Sequence, residues 1–270
     1  MHYAYVNGKI SPVTQATISI NDLGLLRGYA VFDYMRTYNG KPFLMDRHFA
    51  RLSNSAATLN LKIPISGKES ERIIIELINK GNLKADVGIR LVLTGGETSD
   101  GITPSSPSLI IMTETLTEQT DDIYKQGIKL ITHEFQREIP KVKTTNYKKA
   151  IQLLPEKIKS NAFEVLYCSE GNILETTRNN FFIFKGNTLI TPKENILQGI
   201  TRSLVLELAK EKFKIEERDL KVEELKDADE AFITGTTKKL LPVVQIDEQI
   251  IGNGKPGKKS TLLLELLNQY

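Results

Sequence analysis

The chain opens on a short alternation of apolar and polar residues, with Ala4-Tyr5-Val6 running into Asn7-Gly8 and Lys9-Ile10 running out. Asn-Gly suits the two positive-φ positions of a type I′ turn, so the pattern predicts a β-hairpin. The same arrangement recurs at Asn39-Gly40, with residues 31–38 leading in and Phe43-Leu44 expected to return. The period then changes. Phe49, Leu52, Ala56 and Leu59 fall at helical spacing, and Asp46 is placed to cap that helix. Ile73, Ile74, Leu77 and Ile78 give a second helix, over residues 71–79, an apolar face. Residues 89–94 and 109–112 read as strands on either side of a glycine-rich loop, Gly95 to Gly101.

Residues 114–122 lose apolar periodicity apart from Leu116, and 117–122 is the expected linker. Beyond it, strands are expected at 127–132, 165–168, 181–184, 188–191 and 231–234. Helices are expected over 147–160, 201–212 and 260–267. Glu170-Gly171-Asn172 and Lys185-Gly186-Asn187 join successive short strands as hairpins. This argues against a uniform βαβ sheet and for an α+β protein of two domains, residues 1–116 and 123–270. No internal repeat is present, which disfavours solenoids and propellers.

Composition narrows the function classes. Of 270 residues, 40% are hydrophobic and 26% charged, as in an ordinary folded domain. The 36 Lys and Arg barely exceed the 33 Asp and Glu and are spread along the chain. No basic stripe interleaved with aromatics marks a nucleic-acid surface. Cys168 is the only cysteine, so neither a disulfide framework nor a cysteine-built metal site is expected. It reads as a small core residue of a strand. No apolar run reaches the roughly 18 residues of a membrane span. The start, Met1 to Tyr5, lacks the basic and apolar regions of a signal peptide, so the expectation is a cytoplasmic enzyme or small-molecule binder.

Three features of the second half could act together. Lys143-Thr144-Thr145-Asn146-Tyr147 lies between a predicted strand and helix, and Glu175 through Asn180 precedes another strand. Gly199-Ile200-Thr201-Arg202 and Thr234-Gly235-Thr236-Thr237 are small, hydroxyl-rich turns. The first opens an amphipathic helix whose free N–H groups suit a phosphate. The second ends a strand, where glycine permits a concave backbone and threonine adds donors. Read singly, Thr201 is equally an ordinary N-cap, and Lys143 one solvated lysine among several.

Taken in order with His48-Phe49-Ala50-Arg51-Leu52, these motifs make the chain resemble the fold type IV pyridoxal-phosphate enzymes over essentially its whole length. That family includes branched-chain aminotransferases, D-amino acid transaminases and aminodeoxychorismate lyases. The resemblance implies a smaller N-terminal α+β domain, a larger C-terminal pseudo-barrel and a homodimer, with the active site between domains and completed by the partner. It also implies pyridoxal 5′-phosphate as cofactor, with amino acids and 2-oxo acids as substrates. Lys143 would form the Schiff base and then shuttle the proton at the substrate Cα. Glu175 would keep the pyridine nitrogen protonated and so strengthen the electron sink. Arg51, Gly199, Ile200, Thr201, Gly235 and Thr236 would hold the phosphate end. Tyr147 would reach the phenolic oxygen, and Asn180 would complete the cofactor set.

Donor handedness depends on where the α-carboxylate is anchored. The Arg-x-His clamp of the best-known D-amino acid transaminases is absent from the Gly95 to Gly101 loop, and Phe32-Asp33-Tyr34 departs from the Phe-Glu-Gly of branched-chain enzymes. Leu26-Arg27-Gly28-Tyr29, residues 89–101 and 133–138 are similar to a group of D-amino acid transaminases lacking that clamp. The resemblance there implies that Arg27 and Arg90 serve the carboxylate, with Tyr29, Thr236 and Thr237 also toward substrate. The expectation is a D-amino acid transaminase passing its amino group to a 2-oxo acid such as 2-oxoglutarate. The alternatives are a branched-chain L-enzyme, the lyase, or a non-catalytic phosphate or metabolite binder.

Overall fold

Both Asn-Gly pairs turn as hairpins in the computed structural model, which describes residues 1–270. Asn7 and Gly8 take φ of 47° and 95° between β1 (Tyr3–Val6) and β2 (Lys9–Pro12), with Val6 opposite Lys9. Asp22 caps α1 (Leu23–Arg27), accepting from the Gly24 N–H at 2.7 Å. The second Asn-Gly joins β3 (Ala30–Tyr38) to β4, but the returning strand is Lys41–Pro42 rather than Phe43-Leu44. Phe43 sits edge-on to Tyr38, and Leu44 takes φ 50° as the N-cap of α2 (Met45–Thr58). Asp46 therefore does not cap. It lies in the first turn, where the helix dipole favours an acid.

With α3 (Gly67–Gly81), β5 (Val87–Thr94) and β6 (Ser108–Thr115), these elements form the first of two units, residues 1–117 together with 142–146. Its sheet is antiparallel in the order β2-β1-β6-β5-β3-β4. α2 packs on β3, and α3 on β6 and β1. Leu52, Ala56, Ile73, Ile74 and Leu77 bury the helix faces that the spacing indicated. Residues 142–146 belong to this unit, although chain order places them inside 123–270. The free edge of β3 captures them: Thr144 bridges Val31, the Phe32 N–H donates to the Lys143 carbonyl at 2.9 Å, and the Thr145 N–H donates to that of Ala30.

The second unit holds residues 118–141 and 147–270. It begins with α4 (Asp121–Gln126), whose first two residues fall in the span expected as linker, and β7 (Ile128–Glu134). The helix expected over 147–160 is two short ones, α5 (Lys148–Gln152) and α6 (Leu154–Lys159), because Pro155 has no N–H to continue the ladder and starts a new helix instead. There follow β8 (Glu164–Ser169), β9 (Asn172–Thr176), β10 (Asn180–Lys185), β11 (Thr188–Thr191), α7 (Ile200–Ala209), β12 (Lys214–Glu217) and β13 (Leu220–Lys221). The chain ends through β14 (Glu230–Gly235), β15 (Lys239–Ile246), β16 (Gln249–Ile250) and α8 (Lys258–Gln269).

The strands run β12-β11-β10-β14-β15-β7-β8-β9-β13, with β16 on β15. The pairs β15–β7 and β7–β8 are parallel, as is β11–β12. One further pairing, Glu175 opposite Asn180, brings β9 back to β10 and closes β10-β14-β15-β7-β8-β9 into a ring. The mixed α+β class and the barrel-like sheet are those expected. Ile128, Leu130, Leu166, Phe181, Ile183, Ile233 and Leu241 form a buried apolar cluster in this unit. Cys168 belongs to it, and burial pushes its thiol up to about 12. No helix is long and apolar enough to cross a membrane.

Candidate active site

In the first unit Lys143 is held by its backbone. Its carbonyl accepts from Phe32, and its N–H donates to Ser55 Oγ on α2 at 3.2 Å. Val142 is buried beside it, and the Lys143 Nζ lies 4.5 Å from the centre of the Phe32 ring. A main chain tied on both sides fixes where a flexible amine can reach.

Next to it is a charge network that the sequence reading missed. Asp33, on β3, is fully buried. The Arg51 Nε and Nη2 donate to its two oxygens at 2.8 Å each, His48 Nδ1 lies 2.7 Å from Oδ1, and the Tyr34 N–H donates to Oδ1 at 2.8 Å. Burial alone would raise the carboxyl, but Arg51 and His48 outweigh it and hold Asp33 well below the usual carboxylate range. Burial also lowers His48, against the pull of Asp33. His48 and Arg51 are one turn apart on α2, so a single acid fixes both. The available signal was an acid directly after the apolar run Ala30 to Phe32, since a buried carboxylate requires partners.

The proposed substrate arginines are placed differently from each other. Arg27 is exposed at the end of α1 and donates to the Leu26 carbonyl at 3.0 Å. Arg90 lies on β5 against the Phe32 and Tyr34 rings, with its Nε and Nη2 on Glu114 at 2.5 and 3.0 Å. Tyr29 donates its hydroxyl to the Leu59 carbonyl.

In the second unit Glu175 lies on β9, where the ring closes, and is 6% exposed. Arg137 Nε and Nη2 donate to its Oε1 at 2.9 and 2.6 Å. The Leu197 N–H and Asn180 Nδ2 donate to Oε2 at 3.1 and 3.3 Å. Arg137 also donates to the Pro140 carbonyl. A carboxylate is acceptor-only, and this set of donors favours the ionised form. Along the chain Arg137 is one residue of the polar stretch 133–138. A lone arginine in such a loop gives no sign of its partner.

Register brings the other candidates to the same edge. Glu175, Asn180 and Thr234 stand in one row across β9, β10 and β14. The Thr234 hydroxyl is buried with no hydrogen-bond partner. Immediately beyond the row lie the loop Thr177 to Asn179 and the turn Thr236 to Lys238. Gly235 fits tightly here, because a Cβ on it would stand 2.5 Å from Asn179 Oδ1. Gly199 is the N-cap of α7, so Thr201 is not, and no side chain caps that helix start. A Cβ on Gly199 would meet Asn180 Oδ1 at 2.1 Å. The uncapped α7 start, with Ile200 and Thr201 half-buried in its first turn, is therefore coupled through Asn180 to Glu175. Tyr147 precedes α5, and the Ile151 N–H donates to its carbonyl at 3.0 Å.

A family model, amino-transferase class IV, matches residues 30–246. The chain belongs to the class IV aminotransferases. Its relatives in this family carry different names. A Methanocaldococcus jannaschii protein, named as a candidate branched-chain-amino-acid aminotransferase, is 34% identical over 97% of this chain and 93% of its own length. A Bacillus licheniformis D-alanine aminotransferase is 32% identical over 93% of this chain and 90% of its own. The T.th. branched-chain amino acid aminotransferase, solved with pyridoxamine 5′-phosphate, superposes with a TM-score of 0.90 at 25% identity, covering 99% of this chain and 93% of that one.

The cofactor of this class IV aminotransferase is pyridoxal 5′-phosphate, and its substrates are amino acids and 2-oxo acids. The residues present fit that group. Glu175 is a buried, donor-stabilised carboxylate able to pair with a protonated ring nitrogen, and Thr234 is an orphaned hydroxyl in the same row. The helix start at Gly199 offers N–H groups without a side-chain cap.

Proposed function

We infer that this aminotransferase takes its amino group from a D-amino acid and passes it to a 2-oxo acid such as 2-oxoglutarate. The observation that carries the reaction type is the Glu175 network, with four donor contacts on one buried carboxylate. When bound, pyridoxal 5′-phosphate supplies an aldehyde for amines and a ring that takes up the electron pair left at the substrate Cα. Glu175 accepts from the ring nitrogen and keeps it cationic, and Arg137 keeps Glu175 ionised. Lys143 Nζ would hold the aldehyde and, when free of it, would move the proton at Cα. Arg51, steadied by Asp33, would serve as a cation for the phosphate, and the N–H groups of Ile200 and Thr201 and the Thr236 hydroxyl would be its further donors. Tyr147 serves the phenolic oxygen.

For the donor, Arg27 supports the D-reading, since its guanidinium is exposed and donates only to its neighbour's carbonyl. One observation favours a branched-chain L-amino acid donor instead. Arg90 is already paired with Glu114, and a carboxylate ligand would have to share it. Mixing the pyridoxal form with D-alanine, D-glutamate, L-leucine and L-valine in turn, and following conversion to the pyridoxamine form, tests both. Faster conversion with either L-amino acid overturns the D-reading. Borohydride reduction followed by peptide mapping should place the cofactor on Lys143, and a Lys143→Ala variant with normal turnover would refute its role. A homodimer is the proposed working form, testable by light scattering.

A further inference from the structure

The three-residue turn that joins β14 to β15 ends in a lysine with an unusual setting. Lys238 is 8% exposed, and its backbone is fixed on both sides: its N–H donates to the Gly235 carbonyl at 3.2 Å, and its own carbonyl accepts from the Tyr124 hydroxyl at 3.1 Å. The ammonium stands 5.8 Å from the centre of the Phe163 ring, with no hydrogen bond and no carboxylate within 4.0 Å. The charges around it are Arg178, Lys157 and Glu164. Glu164 is the one acid among them, and its Oε2 is buried with no hydrogen-bond partner. Its Oε1 accepts from the Thr177 hydroxyl at 2.7 Å and the Val165 N–H at 3.2 Å, and its Oε2 lies 3.5 Å from Arg178 Nε. Three cations, Lys238, Arg178 and Lys157, thus share one carboxylate. Buried ammonium groups are ordinarily paired. One held unpaired among like charges calls for an anion.

The place of this cluster in the fold says which anion. Lys238 directly follows Thr236 and Thr237, and Arg178 follows Thr177 in the loop leaving β9. Both segments project from the strand ends where Glu175, Asn180 and Thr234 form their row. A Cβ on Gly235 would lie 3.9 Å from the Arg178 carbonyl, so loop and turn are neighbours.

We propose that Lys238, with Arg178 beside it, is an anion subsite that takes the distal carboxylate of a dicarboxylic substrate, so that a 2-oxo acid of the 2-oxoglutarate type and its amino counterpart are preferred partners. The proposal rests on the transaminase reading above but not on the handedness of the donor.

The test compares two acceptors of equal chain length, 2-oxoglutarate and 2-oxopentanoate, reacting with the pyridoxamine form of the full-length enzyme. The wild type should favour 2-oxoglutarate. In Lys238→Met the ratio of kcat/KM for the two should fall about tenfold or more, through KM rather than kcat. Lys238→Arg, which keeps the charge, should restore part of it. Calorimetry with glutarate, an unreactive dicarboxylate, gives a readout independent of turnover: binding to the loaded wild type should weaken at least tenfold in Lys238→Met. It should also weaken above about pH 8, where burial and the neighbouring cations bring the Lys238 amine, with Glu164 the only group opposing.

An unchanged acceptor ratio in Lys238→Met, or an equal loss with both acceptors, overturns the subsite. A wild type that uses 2-oxopentanoate as readily as 2-oxoglutarate overturns the subsite and leaves the transaminase reading standing. A pyridoxamine form that reacts with neither acceptor, nor with any other 2-oxo acid, overturns that reading itself.

Discussion

Replacing Lys238 by methionine should stabilise the protein near neutral pH, by an amount that disappears in alkali. Burial, reinforced by Arg178 and Lys157 against Glu164, brings the amine from 10.5 down to about 8. The unfolded chain keeps the ordinary value. Between these two pH values the unfolded state therefore holds a proton that the folded state has released. Such a group lowers stability in full below about pH 8, and the penalty is relieved as pH rises toward 10.5. At roughly 1.4 kcal/mol per tenfold change in the proton equilibrium, the full penalty is about 3 kcal/mol. Methionine keeps the unbranched stem beside Phe163 and removes the charge. Urea unfolding of the cofactor-loaded protein, followed by circular dichroism at several values between about pH 7 and pH 10.5, measures the difference. Other titrating groups, Lys143 included, are common to both proteins and cancel. Lys238→Met should exceed the wild type by about 3 kcal/mol at pH 7 and by roughly half that midway to pH 10.5. A difference that does not change with pH, or a variant less stable at pH 7, would refute the reasoning.

Three further outcomes follow from the same geometry. Gly199→Ala forces a Cβ against Asn180 Oδ1, so it should cost about 1–3 kcal/mol of stability and weaken cofactor binding in a spectroscopic titration. Unchanged cofactor affinity would show that α7 and Glu175 are not coupled through Asn180. Asp33→Asn leaves Arg51 without its carboxylate and should cost about 3–5 kcal/mol at pH 7. Because Asp33 is held below its unfolded value, its contribution is present above pH 3.8 and is lost as pH falls toward the folded value, so urea midpoints of the variant should fall less on acidification than those of the wild type. Cys168, buried and raised to about 12, should ignore a disulfide reagent at pH 8 in the folded protein and react at once in guanidinium.

Much of the fold was legible because local chemistry and tertiary packing agree. The Asn-Gly pairs and the apolar faces of α2 and α3 behave as their spacing indicates. β15 was missed because Pro242 reads as a strand breaker. In the structure Pro242 pairs with Phe232 on β14 and lies just before the ladder with β7, which starts at Val243. β12 was missed because Lys214-Ile215-Glu216-Glu217 is a charged edge strand whose pairing with β11 is parallel and non-local. The capture of residues 142–146 by β3 depends on an unpaired strand edge far away in sequence, which no local pattern reports.

The candidate site divides along the same line. Lys143, Glu175 and the glycine turns could be found because their order along the chain resembles a family. Three charges near them could not, because Asp33, Arg137 and Lys238 are single residues whose roles are set by burial and by neighbours remote in sequence. Lys238 is the sharpest case, since in the pair Lys238-Lys239 the sequence suggests two solvated charges. Lys239 meets that expectation, reaching Asn268 Oδ1 at 2.6 Å at the surface, while Lys238 turns inward. Asp33 holds Arg51 and Arg137 holds Glu175, so those buried charges are largely offset where they stand. Lys238 has no ion pair of its own, and only Glu164, shared with Arg178, opposes the cations around it. A penalty left standing at the edge where Glu175 and the threonine turns converge is what a binding group looks like before its ligand arrives.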